Sequence, residues 1–300
     1  MKTIKLTLVL CLISALAFCS VTPKEKNALI ALYKATDGDN WINSWDLEQP
    51  VSQWYGVTLS NDKITGLNLM FNNLKGELPS AIGDLIHLEN LNLFRNNISG
   101  VIPNSLENLV QLKSLNIAFN NLKGELPINI GNLKELETIQ LFMNKIEGNI
   151  PQSIKNLTKL ENLELFSNNL EGTIPSEIGD LVNLKNLSLS SNYFSGKLPN
   201  SIQNLVELKT LSLYDNKLFG PVPSSLSKLA KLEELMLSDN LFYGNIPTEL
   251  ASLNNLKVLM LNNNNLKGDF ANLSKSLPNI VQFEFINLSD VKNTSLVGTD

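Results

Sequence analysis

The regular part of this chain opens with Leu67-Asn-Leu69-Met-Phe-Asn72-Asn-Leu74-Lys-Gly76-Glu-Leu78-Pro79-Ser-Ala-Ile82-Gly-Asp-Leu85-Ile-His-Leu88. The unit recurs every 24 residues without an insertion or deletion, and a decayed tenth copy begins at Phe283. Its first residue occurs nine times, at Leu67, Leu91, Leu115, Ile139, Leu163, Leu187, Leu211, Leu235 and Leu259, which begin coils 1 to 9. A fixed period of this size indicates a solenoid, because one repeat cannot bury its apolar face alone and stacked repeats can.

The spacing of apolar residues changes along the unit and predicts what each part forms. Leu67 and Leu69 are two apart, which places both on one face of a short strand, and the next coil adds a parallel strand about 4.8 Å away. Ile82, Leu85 and Leu88 are three apart, which fits a 3₁₀ or helical turn. We therefore predict an α/β solenoid with a concave parallel β-sheet and a 3₁₀ or irregular convex side.

Three further positions of the unit are structural. Gly76 and its equivalents mark a tight bend that needs positive φ or close backbone approach, and Pro79 and its equivalents fix φ at the start of the convex side. A buried amide can satisfy backbone groups of neighbouring coils, so we interpret the asparagine after each strand as a structural ladder. The ladder consists of Asn72, Asn96, Asn120, Asn144, Asn168, Asn192, Asn216, Asn240 and Asn264.

The consensus L-x-L-x-x-N-x-L-x-G-x-I/L-P resembles the leucine-rich repeat in its 24-residue plant-type form, over residues 64–285. The resemblance implies a right-handed superhelix that binds other proteins or peptides. The segments Ala28-Leu-Ile-Ala-Leu-Tyr-Lys-Ala-Thr-Asp-Gly-Asp-Asn-Trp41 and Trp54-Tyr-Gly-Val57 resemble the cysteine-free N-terminal caps of secreted bacterial leucine-rich-repeat proteins.

These features divide the chain into four parts. We expect a signal peptide over residues 1–19, an N-terminal cap over 20–63, nine repeats over 64–282, and a decayed C-terminal cap and tail over 283–300. The cap is predicted to contain a helix from Pro23 to Ala35, a tryptophan-rich turn and a strand, because the apolar edge of coil 1 must be covered.

The first residues favour export. A basic start is followed by an apolar run from Leu6 to Leu16, which fits a signal peptide and is too short for a membrane span; we expect no transmembrane segment. A lipid anchor at Cys19 is the alternative to free secretion. Cys11 and Cys19 are the two cysteines, so no disulfide framework is available. Secreted plant members of the family usually carry paired cysteines, and this departure favours a bacterial surface or secreted protein.

Composition argues against nucleic acid binding and catalysis. The formal charge is −5, and −7 once Lys2 and Lys5 leave with the signal peptide (22 Lys and Arg against 29 Asp and Glu), with no basic cluster. His87 is the single histidine, and it occupies a convex position that the repeat consensus leaves free. A catalytic triad would have to use this histidine alone, and no second histidine or cysteine group supplies a metal site. We expect a non-enzymatic protein without cofactor or metal.

The concave face holds the candidate binding site. Side chains that flank the core leucines point away from the core, and in coils 1 to 5 these positions are rich in aromatic and methionine residues, which are enriched in binding patches. The predicted partner-binding residues are Met70, Phe71, Phe94, Arg95, Phe119, Phe142, Met143, Phe166 and Tyr214. The competing interpretation is that the aromatic side chains stiffen the sheet. The partner we expect is a protein or peptide.

Three other functions remain open. An inhibitor of a secreted polysaccharide-degrading enzyme would resemble some plant proteins of similar repeat. A glycan- or ice-binding module would use the polar column Asn68, Asn92, Asn116, Gln140, Glu164, Ser188 and Ser212. A purely structural spacer would bind nothing. Asp215 and Asp239 at the polar end of the face are one strand apart, close enough to share a cation.

Overall fold

The computed structural model describes residues 21–286. The predicted signal peptide, the predicted lipid site at Cys19 and the polar tail after residue 286 lie outside the described residues. The described residues form two α-helices, α1 (Pro23–Ala35) and α2 (Phe270–Ser276). They form twenty strands, namely β1 (Val57–Ser60), β2 (Lys63–Asn68), β3 (Lys75–Glu77), β4 (Asn90–Asn92), β5 (Asn97–Gly100), β6 (Ser114–Asn116), β7 (Asn121–Glu125), β8 (Thr138–Gln140), β9 (Lys145–Gly148), β10 (Asn162–Glu164), β11 (Asn169–Leu170), β12 (Asn186–Ser188), β13 (Ser195–Gly196), β14 (Thr210–Ser212), β15 (Lys217–Gly220), β16 (Glu234–Met236), β17 (Leu241–Asn245), β18 (Val258–Met260), β19 (Asn265–Lys267) and β20 (Gln282–Glu284).

One sheet runs the length of the solenoid. It has 11 strands in the order β1-β2-β4-β6-β8-β10-β12-β14-β16-β18-β20. β1 pairs antiparallel with β2, and each later neighbour is parallel, with Leu67 opposite Leu91 and Leu91 opposite Leu115. The offset equals the repeat length, so identical positions of successive coils stack in columns. This confirms the predicted solenoid with its parallel sheet.

A second set of strands lies after the bend of each coil. β3, β5, β7, β9 and β11 form a five-stranded sheet, and β13, β15, β17 and β19 form a four-stranded sheet. Their register differs from that of the concave sheet, since Gly76 pairs with Ile98, 22 residues on, rather than 24. We call these the flank sheets. The sequence predicts only the bend here, because a strand of two to five residues around a positive-φ glycine has no clear alternation.

The core is one continuous stack of leucine and isoleucine side chains. In coil 1, Leu67, Leu69, Leu74, Ile82 and Leu85 are all fully buried. Burying such a side chain contributes about 1.5–3 kcal/mol. Short 3₁₀ turns close the convex side at Ser80–Asp84, Asn104–Asn108, Ile130–Asn132, Gln152–Asn156, Ser176–Asp180, Asn200–Asn204, Ser224–Lys228 and Thr248–Ser252.

The asparagine ladder is buried inside the bends. Asn168 is representative: its Nδ2 donates to the carbonyls of Leu141 at 3.0 Å and Leu165 at 2.9 Å, and its Oδ1 accepts from the amide of Ile146 at 3.0 Å. The side chain therefore connects its own coil to the preceding one. Each amide replaces hydrogen bonds that the backbone loses where it turns away from the sheet.

The N-terminal cap covers coil 1 with α1 and an aromatic cluster. Thr22 and Glu25 form a capping box at the start of α1. Tyr33, Trp41, Trp45 and Trp54 pack on one another with ring centroids 4.8–5.9 Å apart, and all four are buried. These tryptophans are core residues, and their bulky aromatic area closes the end of the solenoid.

The C-terminal end departs from the repeat. In coil 9, α2 replaces the 3₁₀ turn, at the place where Ala271 stands instead of the usual proline, and Asp269 caps it by accepting from the Asn272 amide at 2.9 Å. Without proline the backbone is free to form a full helical turn. β20 then closes the concave sheet. None of the helices over residues 21–286 has the length and apolar character needed to cross a bilayer.

Candidate binding site on the concave face

Two side-chain columns follow the concave strands and form the site. The residue after the second core leucine is half-buried at Met70, Phe94, Phe142 and Phe166, whereas Ala118 is fully buried. The next residue is exposed at Phe71, Arg95, Phe119 and Met143. None of these aromatic rings belongs to the buried core. They form a surface layer over the sheet.

The rings make one continuous chain across coils 1 to 5, which we call the aromatic ladder (Phe71, Phe94, Phe119, Phe142 and Phe166). Edge-to-face contacts join Phe71 to Phe94 at 5.3 Å, Phe94 to Phe119 at 5.4 Å, and Phe119 to Phe142 at 5.6 Å between centroids. Phe142 and Phe166 stack at 4.4 Å with 10° between planes. Such contacts stabilise the rings by about 0.5–1.5 kcal/mol each beyond area burial. The ladder is therefore a preformed surface.

Arg95 is the single arginine of the chain, and it lies on this ladder. Its guanidinium carbon is 5.5 Å from the ring centroid of Phe71 and 5.9 Å from that of Phe119. Both distances fit cation–π contact. Arg95 makes no ion pair with any acidic residue in the described range. Its exposed cation is thus held in place and left available for an anionic group.

The second of these columns has an unusual backbone. All nine of its members have φ between 51° and 55°, in the left-handed region, and they are Phe71, Arg95, Phe119, Met143, Ser167, Ser191, Asp215, Asp239 and Asn263. Side chains other than glycine, asparagine and aspartate pay about 1–2 kcal/mol there. Coils 7 to 9 use aspartate and asparagine, whereas coils 1 to 4 place large side chains in a conformation that disfavours them. Such strain is concentrated at functional positions in proteins.

Tyr214 does not join the ladder. It is exposed but lies two coils beyond Phe166, and the intervening Ser190 is buried and shares a 2.6 Å hydrogen bond with the Ser212 hydroxyl. Beyond it the face is polar, and Asp239 Oδ1 accepts from Asn263 Nδ2 at 2.7 Å. The structure thus brings together eight of the nine predicted partner-binding residues and places Tyr214 apart from them.

The polar column between the core leucines is hydrogen bonded to itself. Asn116 Nδ2 donates to Gln140 Oε1 at 2.9 Å, and Gln140 Nε2 donates to Glu164 Oε2 at 3.2 Å. Asn92 Oδ1 accepts from the Phe94 amide at 3.1 Å. Its members are half-buried from Asn92 to Ser188, and Ser212 is buried. Neighbouring side chains of the column and a backbone amide therefore use part of its hydrogen-bonding capacity.

Catalytic groups are sparse over residues 21–286. This range contains no cluster of three or more histidine, cysteine, aspartate or glutamate residues arranged to hold a metal. His87 is half-buried, and its Nδ1 has no hydrogen-bond partner in that range.

Known proteins resemble the chain most clearly in its repeats. A family profile described as leucine-rich repeat region matches residues 169–297, and one described as leucine rich repeat matches residues 62–122. A polygalacturonase inhibitor of Vitis vinifera is 35% identical over 69 residues, which is 22% of this chain and 21% of the inhibitor. The matched stretch is therefore about a fifth of that relative's length.

Two solved structures show the same fold. The leucine-rich-repeat ectodomain of the Arabidopsis thaliana receptor kinase GASSHO1/SCHENGEN3, in complex with CASPARIAN STRIP INTEGRITY FACTOR 2, has a TM-score of 0.82 and 32% identity, covering 85% of this chain and 32% of the ectodomain. The Arabidopsis receptor kinase HAESA ectodomain, in complex with an IDA peptide hormone ligand, has a TM-score of 0.78 and 31% identity, covering 88% of this chain and 45% of that one. The period, the stacked sheet and these matches together place the chain in the leucine-rich repeat family, in its 24-residue plant-type form.

Proposed function

We propose that the protein is a non-enzymatic binding protein that recognises a protein or peptide on the aromatic ladder of its concave face. One observation carries this proposal. In coils 1 to 4 the column with left-handed backbone holds large side chains, although Asn or Asp would suit that backbone better. Sheet stiffening alone offers no reason for exposing Met143 and Arg95 there. The receptor ectodomains that resemble the chain are complexed with peptide ligands, which supports the same class of partner.

The chemistry of the ladder specifies the partner further. An extended segment laid across coils 1 to 5 would place apolar side chains on the rings, whose exposed edges offer large contact area at low entropy cost. The cation of Arg95 between two rings would pair with a carboxylate of that segment, since a guanidinium recognises carboxylates with two parallel hydrogen bonds. We infer an apolar partner segment with an acidic group opposite coil 2.

The test is capture of partners from surface and secreted material of the source organism and its neighbours. The mature chain would be compared with a Phe119→Ser/Phe142→Ser variant and with Tyr55→Ser, which removes an exposed aromatic ring from the cap. The expected result is one partner held by the mature chain and the Tyr55 variant but lost by the double variant. Equal retention by all three proteins would exclude the ladder as the site.

A second measurement examines Arg95 on the same partner. Arg95→Gln keeps a polar but shorter side chain while removing its charge, and it should weaken binding by about tenfold, equal to about 1.4 kcal/mol. The loss should diminish at high salt, because screening weakens exposed charge pairs. An unchanged affinity would show that the partner has no carboxylate paired with Arg95, and the proposal would then rest on the apolar contact with the rings alone.

An inhibitor of a polysaccharide-degrading enzyme is the second candidate, favoured by the likeness to a grapevine polygalacturonase inhibitor. It predicts stoichiometric loss of polygalacturonase activity when the mature chain is added, and titration of the enzyme with the chain would test it. The glycan or ice alternative is weaker because the polar column is self-bonded. Retention on polysaccharide that survives the Phe119→Ser/Phe142→Ser change would support that alternative.

We further propose that the chain acts outside the cell or at its surface. Its relatives include receptor ectodomains, and its first 19 residues have the composition of a signal peptide. Mass spectrometry of the protein from its native host would distinguish a mature chain that begins after the leader from one that retains it. A mass increment of a diacylglyceryl group on Cys19 would show the lipid-anchored form.

A further inference from the structure

The flank sheet of coils 6 to 8 carries a second exposed apolar surface, away from the concave face. In β15 and β17, alternate residues point inward and outward: Leu218 and Phe242 are fully buried, whereas Phe219, Leu241 and Tyr243 are exposed. Leu241 is 60% exposed, more than any residue of the aromatic ladder. We call Tyr193, Phe219, Leu241 and Tyr243 the flank patch.

The members of the flank patch are neighbours on one surface. Phe219 is directly opposite Leu241 in the pairing of β15 with β17, and Tyr243 follows Leu241 by two residues on the same face. Lys217 lies two residues before Phe219 and places its Nζ 4.9 Å from the ring centroid of Tyr193. The patch is therefore continuous over three adjacent coils.

Three lysines lie among and beside these apolar side chains. Lys197, Lys217 and Lys267 are exposed, and none has an acidic partner within ion-pair distance in the described part of the chain. Five lysines at other positions of the solenoid pair with a glutamate of the preceding coil, as Lys185 does with Glu161 at 2.7 Å. An acidic chain thus presents a local cationic and aromatic surface.

The first half of the flank shows that the fold does not require this composition. The equivalent outward positions in coils 3 to 5 include Glu125, Glu147 and Glu171, and Glu125 is directly opposite Glu147. The same backbone therefore accepts charged side chains, even of like sign. The apolar side chains of coils 6 to 8 are therefore not required by the backbone.

We propose that the flank patch is a docking site for a protein segment in which apolar side chains alternate with acidic ones. Apolar side chains of the segment would cover Phe219, Leu241 and Tyr243, and its carboxylates would pair with the three lysines. A glycan fits less well, because Lys217 occupies one face of the Tyr193 ring and Leu241 offers no ring for a sugar to stack on. The site is separate from the aromatic ladder.

The experiment is selection from a random peptide library on the full mature chain. Peptides of about 12 residues span several coils at about 4.8 Å per strand. Binders would be counter-selected on a Phe219→Ser/Tyr243→Ser variant, which removes two exposed rings and no buried one. The expected peptides are rich in Asp and Glu interleaved with Leu, Phe or Trp, and their affinity should fall about tenfold or more for that variant.

Two further variants make the result specific. Lys217→Glu/Lys267→Glu should weaken the same peptides, with a loss that shrinks as salt rises. Phe119→Ser/Phe142→Ser should leave their affinity unchanged, so failure of the concave proposal and of this one can be told apart. The proposal is overturned if the selected peptides are basic, if they bind the Phe219→Ser/Tyr243→Ser variant equally, or if the selection yields no peptide rich in Asp and Glu.

Discussion

The rings of Phe94 and Phe142 lie 6.4 Å apart, although the two residues are separated by two coils. Two strand spacings amount to about 9.6 Å, so the rings lean toward each other over the small, fully buried side chain of Ala118. The aromatic ladder is consequently tighter than the sheet beneath it. A partner would meet a surface whose side chains are already ordered.

Ring packing should appear as an energetic coupling between Phe94 and Phe142. A double-mutant cycle with Phe94→Ala and Phe142→Ala should give about 0.5–1.5 kcal/mol of coupling in chemical denaturation. Phe71 has no contact with Phe142, so the cycle between those two serves as the control and should give additive losses within about 0.5 kcal/mol. Additivity in both cycles would mean that the rings do not support one another.

Met143→Asn should stabilise the protein while weakening partner binding. Met143 has φ of 52° and is exposed, and asparagine tolerates that conformation better, so we expect a gain of about 0.5–1 kcal/mol in the free energy of unfolding. Met143→Ile at the same place should be destabilising, because β-branched side chains fit the left-handed region worst. A denaturation midpoint that falls for asparagine would show that Met143 contributes packing that outweighs the backbone strain.

Adjacent asparagines in coil 5 should differ sharply in their contribution to stability. Asn168→Ala would leave the Ile146 amide and two buried carbonyls without partners, at about 1–3 kcal/mol for each unsatisfied group. Asn169→Ala changes the exposed neighbour, and surface substitutions usually stay within about 0.5 kcal/mol. Thermal unfolding of both variants would measure the difference. Comparable losses for the two variants would argue against the asparagine ladder as a stabilising element.

Adding a methyl group to a glycine of the convex side should destabilise the protein. A Cβ at Gly131 would lie 2.1 Å from the backbone oxygen of Ser153 in the next coil, too close for either atom to stay in place. We expect Gly131→Ala to cost about 1–3 kcal/mol through overpacking. Lys155 holds the equivalent place one coil later, so Lys155→Ala is the matched control and should be near neutral. A neutral Gly131→Ala would show that the 3₁₀ turns shift freely against each other.

The cap should lose stability at alkaline pH through Tyr33. Burial raises the pKa of this phenol, a hydrogen bond with Ser44 lowers it, and the hydrogen bond to Asp39 raises it, with a net upward shift. A raised folded-state pKa means that its contribution is complete below the unfolded value of about 10 and declines as pH rises through the folded value.

Tyr33→Phe is the variant that isolates this effect. At neutral pH it removes the 2.9 Å hydrogen bond to Asp39 and the 2.7 Å hydrogen bond with Ser44, at about 1 kcal/mol. The stability difference between wild type and variant should shrink as pH rises through about 10 and beyond, because only the wild type must keep a buried phenol protonated. Denaturation midpoints from pH 8 to 11 measure it. A stability difference that stays constant over this pH range would show that Tyr33 does not cause the loss of stability at alkaline pH.

Much of the fold follows from features that are local or strictly periodic. Residues two apart define the strands and residues three apart the convex turns, and the helix over Pro23–Ala35 begins with a capping box and has apolar residues at helical spacing. The constant 24-residue period makes the stacking of Leu67 on Leu91 and Leu115 unavoidable, because no insertion shifts one coil against the next. The same period predicts that Phe71, Phe94, Phe119, Phe142 and Phe166 lie on one surface.

Two kinds of contact are visible only in the tertiary structure. One joins residues of neighbouring coils that are not 24 apart, and the other depends on how side chains lean. The flank sheets pair residues 22 apart, so Phe219 meets Leu241 in a relationship that the repeat period hides. The left-handed backbone of Met143 and the closure of two rings over Ala118 arise from the bend of the packed coil. The sequence by itself determined the coil, its columns and their order. The tertiary structure decided which columns become surfaces, because burial and partner atoms depend on the packing of neighbouring coils and not on the identity of one residue.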